Sequence, residues 1–198
     1  MNNTLHRMTG LMVVLLCALT AWADGEIYYG IYQGTGSLTG YGTGKAETYD
    51  VAIHLTDPSL VGMEVRGIRI PVNASAKNAS GYKAWLTREL TVVSGKTVPD
   101  IVSLDATPSG SWAEVRLDAP CVIEAGGLYV GYSLTVSSVD AANANDPNRT
   151  PVMTTPTENP EGLLIHTSRT YRKWVGLAEA GGAKQQSGPS RRHPVIFG

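Results

Sequence analysis

Apolar and polar residues alternate with a period of two along most of the chain. In "ETYDVAIHL" the apolar positions are Tyr49, Val51, Ile53 and Leu55, and the positions between them are Thr48, Asp50, Ala52 and His54. Such alternation is typical of a β-strand that buries one face and leaves the other face more polar. The same period occurs in "MEVRGIRIPV", where Gly67 marks a candidate β-bulge, and in "WAEVRLD" and "GGLYVGYSLTV". Shorter candidate strands are "EIYYGIY", "LLIHTSR" and "YRKWV".

Turn-forming segments separate these candidate strands. "DPSLVG", "NASAKNASG", "VSGKTVPD" and "DATPSGS" are rich in Gly, Pro, Asn, Asp and Ser, which favour turns. Several short strands joined by such turns predict an all-β fold, either a jelly-roll or an immunoglobulin-like β-sandwich. The segment "YKAWLTREL" fits a helix or a strand, and its alternation slightly favours a strand. Trp112 and Tyr132 are interpreted as residues of the sandwich core.

The first 23 residues have the order of a secretory signal peptide. Arg7 is followed by an apolar run of nine residues, 11–19, and then by the small-x-small sequence that ends at Ala23. Cleavage is therefore expected between Ala23 and Asp24, and the mature chain is expected to be secreted or held on the outer cell surface. The run is too short for a membrane-spanning helix, which needs about 20 residues. No transmembrane segment is predicted in the mature chain.

The mature chain divides into two parts by composition. Residues 24–175 contain the alternating segments and are predicted to form one β-sandwich module, interrupted by a proline-rich surface excursion over residues 137–162. Residues 176–198 lose the alternation, and their composition predicts a disordered tail. The abrupt change after "YRKWV" suggests the hypothesis of a truncated or frame-shifted product, which an intact downstream reading frame would support.

Composition and charge exclude several classes of partner. Without the signal segment the chain has 15 basic and 17 acidic residues, a net charge of −2, and its one basic cluster is short, so nucleic-acid binding is not predicted. The glycine-rich stretch around Gly44 and Lys45 has Ala46 where a phosphate-binding loop needs Ser or Thr. Because a strand pattern follows instead of a helix, nucleotide binding is not predicted either.

The aromatic composition is the most suggestive feature of the sequence. The chain has one Phe against nine Tyr and four Trp, so most of its aromatic rings carry a polar group. Such rings stack on sugars or anchor protein contacts. The alternative is that such rings fill the sandwich core. If some are exposed instead, the candidate ligand-binding residues are Tyr41, Tyr82 and Trp85, which lie on the loop side of their segments.

The residues alone leave two further candidate sites, a calcium site and a thiol hydrolase site. The loop "VDAANANDPN" carries four oxygen-bearing side chains that suit calcium, from Asp140, Asn143, Asn145 and Asp146. Asx residues are also ordinary turn formers, and no other cofactor is predicted. Cys121, the one cysteine of the mature chain, could form a thiol hydrolase site with His166. No activating motif accompanies the pair, so a non-catalytic protein is favoured.

Four segments together resemble a known type of module. They are "GTGKAETYDVAIHL", "VRGIRIPV", "KAWLTREL" and "SWAEVRLDAPCVIEAGGLYVGYSLTV", and they lie within about residues 27–136. They resemble the cleaved-adhesin type of jelly roll, a module of large secreted bacterial surface proteins that accompanies gingipain-like cysteine proteases. The resemblance implies a non-catalytic adhesion module that recognises a host protein or a glycan. The alternative is an accessory N-terminal domain that supports the folding or secretion of an attached cysteine protease.

Overall fold

The computed structural model describes residues 28–29, 39–154, 164–176 and 196–197. These residues form strands joined by turns, with two one-turn 3-10 helices at Pro58–Leu60 and Pro147–Arg149. The strands are β1 (Tyr28–Tyr29), β2 (Thr39–Tyr41), β3 (Thr48–Leu55), β4 (Glu64–Pro71), β5 (Ala79–Thr87), β6 (Val92–Val93), β7 (Lys96–Thr97), β8 (Val102–Asp105), β9 (Pro108–Ser109), β10 (Trp112–Val122), β11 (Leu128–Val136), β12 (Val152–Thr154), β13 (Leu164–Thr167), β14 (Val175–Gly176) and β15 (Ile196–Phe197).

The strands form two large antiparallel sheets and two small ones. One large sheet has the order β1-β15-β4-β10-β9, and the other has the order β14-β13-β3-β11-β5-β8. The pairs β2–β12 and β6–β7 are separate two-stranded sheets. Apolar side chains from both large sheets join in one buried cluster, as in a β-sandwich. The all-β sandwich predicted from the sequence is therefore confirmed.

The core lies where the alternating apolar positions of the two sheets meet. On β3, Tyr49 and Val51 are buried in this cluster, and β11 pairs with β3 so that Tyr132 lies beside Val51. β4 contributes Ile68 from the opposite sheet. Burying a side chain of this size contributes roughly 1.5–3 kcal/mol, so the alternation is also the main source of stability. The segment "YKAWLTREL" lies within and just after β5, so the preference for a strand was right.

Two details of the first sheet differ from the sequence predictions. Trp112 is only half-buried, because Ala113 takes the inward position and the Arg69 guanidinium lies 4.5 Å from the centre of the Trp112 ring. The pairing of β4 with β10 loses register just after the Arg116–Gly67 pair, and the extra residues lie on β10 rather than on β4. A bulged strand shifts the phase of alternation, and the sequence pattern does not show which of two paired strands is bulged.

The glycines before β3 permit close approach of another loop. An added methyl group at Gly42 would lie 2.2 Å from the Arg149 carbonyl oxygen, and Gly44, with φ +70°, donates its N–H to that same oxygen. These glycines therefore hold the loop at Arg149 against the start of the sandwich. A strand follows them, as predicted, and not the helix that a phosphate loop requires.

Part of the predicted surface excursion returns to the sandwich. β12 lies within it, pairs with β2 and buries Val152 completely. Within the segment predicted as a disordered tail, Ile196–Phe197 forms β15, which pairs with β1 and β4.

The signal segment and its cleavage site at Ala23 and Asp24 lie outside the described residues. Within the described residues, no helix has both the length and the apolar character that crossing a membrane requires.

Candidate functional site

A row of polar side chains crosses the six-stranded sheet on the face opposite the core. The strand pairing places them side by side on five successive strands, in the order His166, Asp50, Ser133, Lys83, Asp105. Their chain neighbours, such as Tyr49 and Ile165, point into the core, so the row points outward. We call this side of the sheet the outer face and these five residues the polar row.

Asp50 is the centre of the polar row. It is buried, and the hydroxyl of Ser133 donates to its Oδ1 at 2.6 Å. The hydroxyl and the backbone N–H of Thr97 both donate to its Oδ2, at 2.6 and 3.1 Å. Burial by itself raises the pKa of Asp50, but the contacts with His166, Ser133 and Thr97 lower it by more, so its net pKa lies below the ordinary value. Asp50 is therefore a buried carboxylate that its donors keep ionised at neutral pH.

Indole rings lie beside the polar row. Trp85 lies over Gly131, whose missing side chain leaves room for the ring, and the Trp85 Nε1–H donates to the Ser133 oxygen at 3.0 Å. Trp174 meets Trp85 edge-on at 6.0 Å between ring centres, and the His166 ring lies 5.8 Å from Trp174. The outer face thus combines a buried carboxylate with aromatic surfaces, as ligand sites often do.

Residues 88–100 form an excursion that covers part of the outer face. Within it β6 and β7 form a hairpin whose two-residue turn, Ser94 and Gly95, has positive φ at both positions. Thr97 on β7 makes the contacts to Asp50, and the hairpin turn reaches Ser168, just after β13. We call residues 92–97 the flap.

Hydrogen bonds between residues at its two ends close the base of the excursion. Asp100 accepts hydrogen bonds from the Thr87 hydroxyl at 2.7 Å and from the Arg88 N–H at 2.8 Å. These contacts lower the pKa of Asp100, the Thr87 hydroxyl most of all. The excursion is therefore fixed where it leaves the sheet, and its far end is held through Thr97.

Several buried nitrogen atoms of the outer face have no hydrogen-bond partner. They are both ring nitrogens of His166, Nε1 of Trp174 and Nε2 of His54. The Nδ1 of His166 lies 3.8 Å from the Asp50 Oδ2, beyond direct hydrogen-bond distance. Leaving such a group without a partner costs about 1–3 kcal/mol. These atoms are also covered from solvent, so another molecule reaches them only if a covering segment moves.

The three aromatic residues predicted to bind ligand are buried rather than exposed. The exposed fractions are 9% for Tyr41, 5% for Tyr82 and 1% for Trp85. Tyr41 and Tyr82 belong to the core, and Tyr41 is on strand β2, where burial and the hydroxyl of Tyr171 raise its pKa. The prediction of exposed anchors is therefore wrong, because each residue takes the inward or the covered side of a strand. Trp85 alone of the three contributes to the outer face.

The calcium loop uses its oxygen atoms for its own backbone. Oδ1 of Asp140 accepts from the N–H of Ala142, and Oδ1 of Asn143 accepts from the N–H of Asn145. Asp146 is buried, and hydrogen bonds from Asn148 and Asp140 lower its pKa. Among the described residues, no three His, Cys, Asp or Glu side chains come together as in a metal site. The calcium site stays a prediction.

Cys121 and His166 lie on opposite sides of the sandwich. Cys121 is on β10 of the five-stranded sheet and is packed against the core, whereas His166 is on the outer face of the other sheet. Burial raises the pKa of the Cys121 thiol, which opposes formation of the reactive thiolate. The pair that a thiol hydrolase needs is not assembled.

Comparisons with known families, curated proteins and solved structures find no match to this chain. The site must be interpreted from its own residues. Sequence reasoning placed Asp50 on the polar side of its strand but did not identify the polar row. A polar residue at an outward position normally meets water, and no local signal distinguishes an outward position that another segment covers.

Proposed function

We propose that the chain is a secreted, non-catalytic β-sandwich module of a bacterial cell-surface protein that binds protein or carbohydrate through the outer face. The observation that carries the proposal is that the outer face carries both unpartnered polar nitrogens and a half-exposed pair of aromatic rings. The rings of His54 and Tyr129 stack at 3.9 Å between centres, and both residues are half-buried. Stacked rings and hydrogen-bonding groups without a partner are common features of ligand-binding surfaces.

The direction of the hydrogen bonds supports a binding role over a catalytic one. Ser133 and His166 flank Asp50, but the Ser133 hydroxyl donates to Asp50 and not to the imidazole. A serine nucleophile needs an adjacent base to take its proton, with the histidine between the serine and the acid. Here Asp50 lies between Ser133 and His166, so the histidine is not placed to take the proton of the serine hydroxyl.

Partner screens with a pair of matched variants test the proposal. The protein is applied to a glycan array and used in pull-downs of purified host surface proteins. Tyr129→Ala removes a half-exposed ring of the outer face, and Trp112→Ala removes a half-exposed ring of the other sheet. We expect Tyr129→Ala to weaken binding about tenfold, as loss of an interface aromatic does, and Trp112→Ala to leave binding unchanged.

Two results would contradict the proposal. One is a folded protein with no partner in either screen, and the other is an equal loss in both variants. Secretion is tested separately by mass spectrometry of the exported protein, whose first residue is expected to be Asp24.

A further inference from the structure

The contact between Thr97 and Asp50 resembles the way a protein holds a sugar hydroxyl. The buried carboxylate accepts the Thr97 hydroxyl at 2.6 Å, and Ser133 supports the other oxygen at the same distance. The indole of Trp85 lies beside this carboxylate and is joined to it through Ser133. Sugars are bound by such sets, in which a fixed polar group orients the hydroxyls and an aromatic ring covers the apolar face.

The neighbouring groups lack the partners that a sugar could supply. His166 is completely buried, and neither of its ring nitrogens has a hydrogen-bond partner. Nε1 of Trp174 is also without one. An imidazole has two nitrogen atoms that form hydrogen bonds, and an indole offers one donor. Because a hydroxyl group both donates and accepts, adjacent hydroxyls of one ligand can satisfy this mixed set.

The charge of the site selects a neutral ligand. Asp50 is ionised, so a carboxylate, sulfate or phosphate group placed beside it would be repelled. The N–H of Trp174 is a donor only, so it offers nothing to coordinate a cation. A neutral polyhydroxylated molecule meets neither obstacle.

Access to this set depends on the flap. Its two strands pair only with each other among the described residues, and Val93 on its outer side is 55% exposed. A two-stranded hairpin is marginally stable by itself, so the contacts of Thr97 with Asp50 largely determine whether the flap lies on the sheet. The hydrogen bond between Thr87 and Asp100 fixes the base of the excursion, and the flap can move about this base.

We propose that the outer face holds a binding site for a neutral sugar, which the flap closes by placing the Thr97 hydroxyl where a ligand hydroxyl would bind Asp50. This inference rests on the proposed function, and it names the ligand class of the outer face and the way in which binding there is regulated. In the closed state Thr97 competes with the ligand. The sugar binds when the flap opens, and its apparent affinity is reduced by the small fraction of open molecules.

Weakening the closed state therefore strengthens binding. Thr97→Val keeps the size of the side chain and removes the hydroxyl, and Thr97→Ser retains the hydroxyl. Thr48→Val is the matched control, because Thr48 is also on this sheet and its hydroxyl pairs with that of Thr135 at an exposed position. The probes are glucose, galactose, mannose and N-acetylglucosamine, with glucuronate as the anionic comparison, titrated by calorimetry and tryptophan fluorescence.

We expect Thr97→Val to bind at least one neutral sugar about tenfold more tightly than the unmodified protein, since it loses a hydrogen bond to a charged group in the closed state. Thr97→Ser and Thr48→Val should match the unmodified protein, and adding Asp50→Asn to Thr97→Val should remove the gain. Equal affinities for Thr97→Val and Thr48→Val, or tighter binding of glucuronate than of glucose, would overturn the inference.

A measurement on the unmodified protein keeps the inference testable if Thr97→Val does not fold. Hydrogen exchange at Lys96 and Thr97 should become faster when saturating neutral sugar is added, because the flap leaves Asp50. Unchanged exchange would overturn the inference. One outcome is that a protein partner binds, that Tyr129→Ala abolishes this binding and that Thr97→Val does not change it. In that case the proposed function stands and the sugar site fails. If no partner of either kind binds, both fail.

Discussion

Replacing Gly131 by alanine would place a methyl group against the indole ring of Trp85. A methyl carbon at Gly131 would lie 2.2 Å from Cη2 and 2.3 Å from Cζ2 of Trp85, far inside contact distance. The ring has little freedom to retreat, because it is 1% exposed and its Nε1–H is bonded to Ser133. The variant must therefore displace a buried tryptophan or distort two paired strands.

The cost can be worked out from three contributions. Overpacking a well-filled interior costs about 1–3 kcal/mol. Loss of the hydrogen bond between Trp85 and Ser133 adds about 0.5–1.5 kcal/mol. Alanine loses less backbone entropy than glycine on folding, which lowers the total cost by roughly 0.5–1 kcal/mol. The net loss is about 2 kcal/mol, equivalent to a fall of about 4–8 °C in the melting temperature of a domain of this size.

Urea and thermal unfolding of Gly131→Ala check this value, and Gly126→Ala is the control. No atom lies within 4 Å of a methyl group at Gly126, so that variant should stay within about 0.5 kcal/mol of the unmodified protein. In a Trp85→Phe background, whose ring ends before the colliding atoms, Gly131→Ala should cost much less. The reasoning is refuted if Gly131→Ala melts with the control, or if its cost is the same in both backgrounds.

Two other predictions concern carboxylates. Asp50→Asn should lower the free energy of unfolding by about 1–3 kcal/mol at neutral pH, because Ser133 and Thr97 lose a charged acceptor. Since folding lowers the pKa of Asp50, its stabilising effect is full above the unfolded value of about 3.9 and is lost as pH falls through the folded value. Denaturant titrations from neutral to acid pH should therefore show that the free energy of unfolding falls less in the variant than in the unmodified protein. An equal fall in both proteins would refute this. Millimolar calcium should leave the melting temperature unchanged, because the oxygens of Asp146 already accept hydrogen bonds, and a rise that Asp146→Ala abolishes would establish the calcium site instead.

The sequence predicted the sheets because their pattern is local. A strand turns successive side chains to opposite faces, so the alternation through Val51 and Ile53 indicates a buried face wherever the strand lies. The strands β3, β4, β10 and β11 follow this rule. The exceptions, Trp112 and the irregularity in β10, arise where pairing with another strand sets the phase of alternation.

The sequence by itself determined the all-β class, the inward residues of the long strands and the outward position of Asp50. Only the tertiary structure decided that the outer face is partly covered. Asp50, Thr97, Ser133 and His166 come from four strands far apart in the chain, and Trp174 and the flap close over them. A local pattern reports which side of a strand is polar, but whether that side meets water or another segment depends on long-range chain closure. For this reason the pattern did not show that Trp85 would be buried or that Asp50 would be the centre of a site.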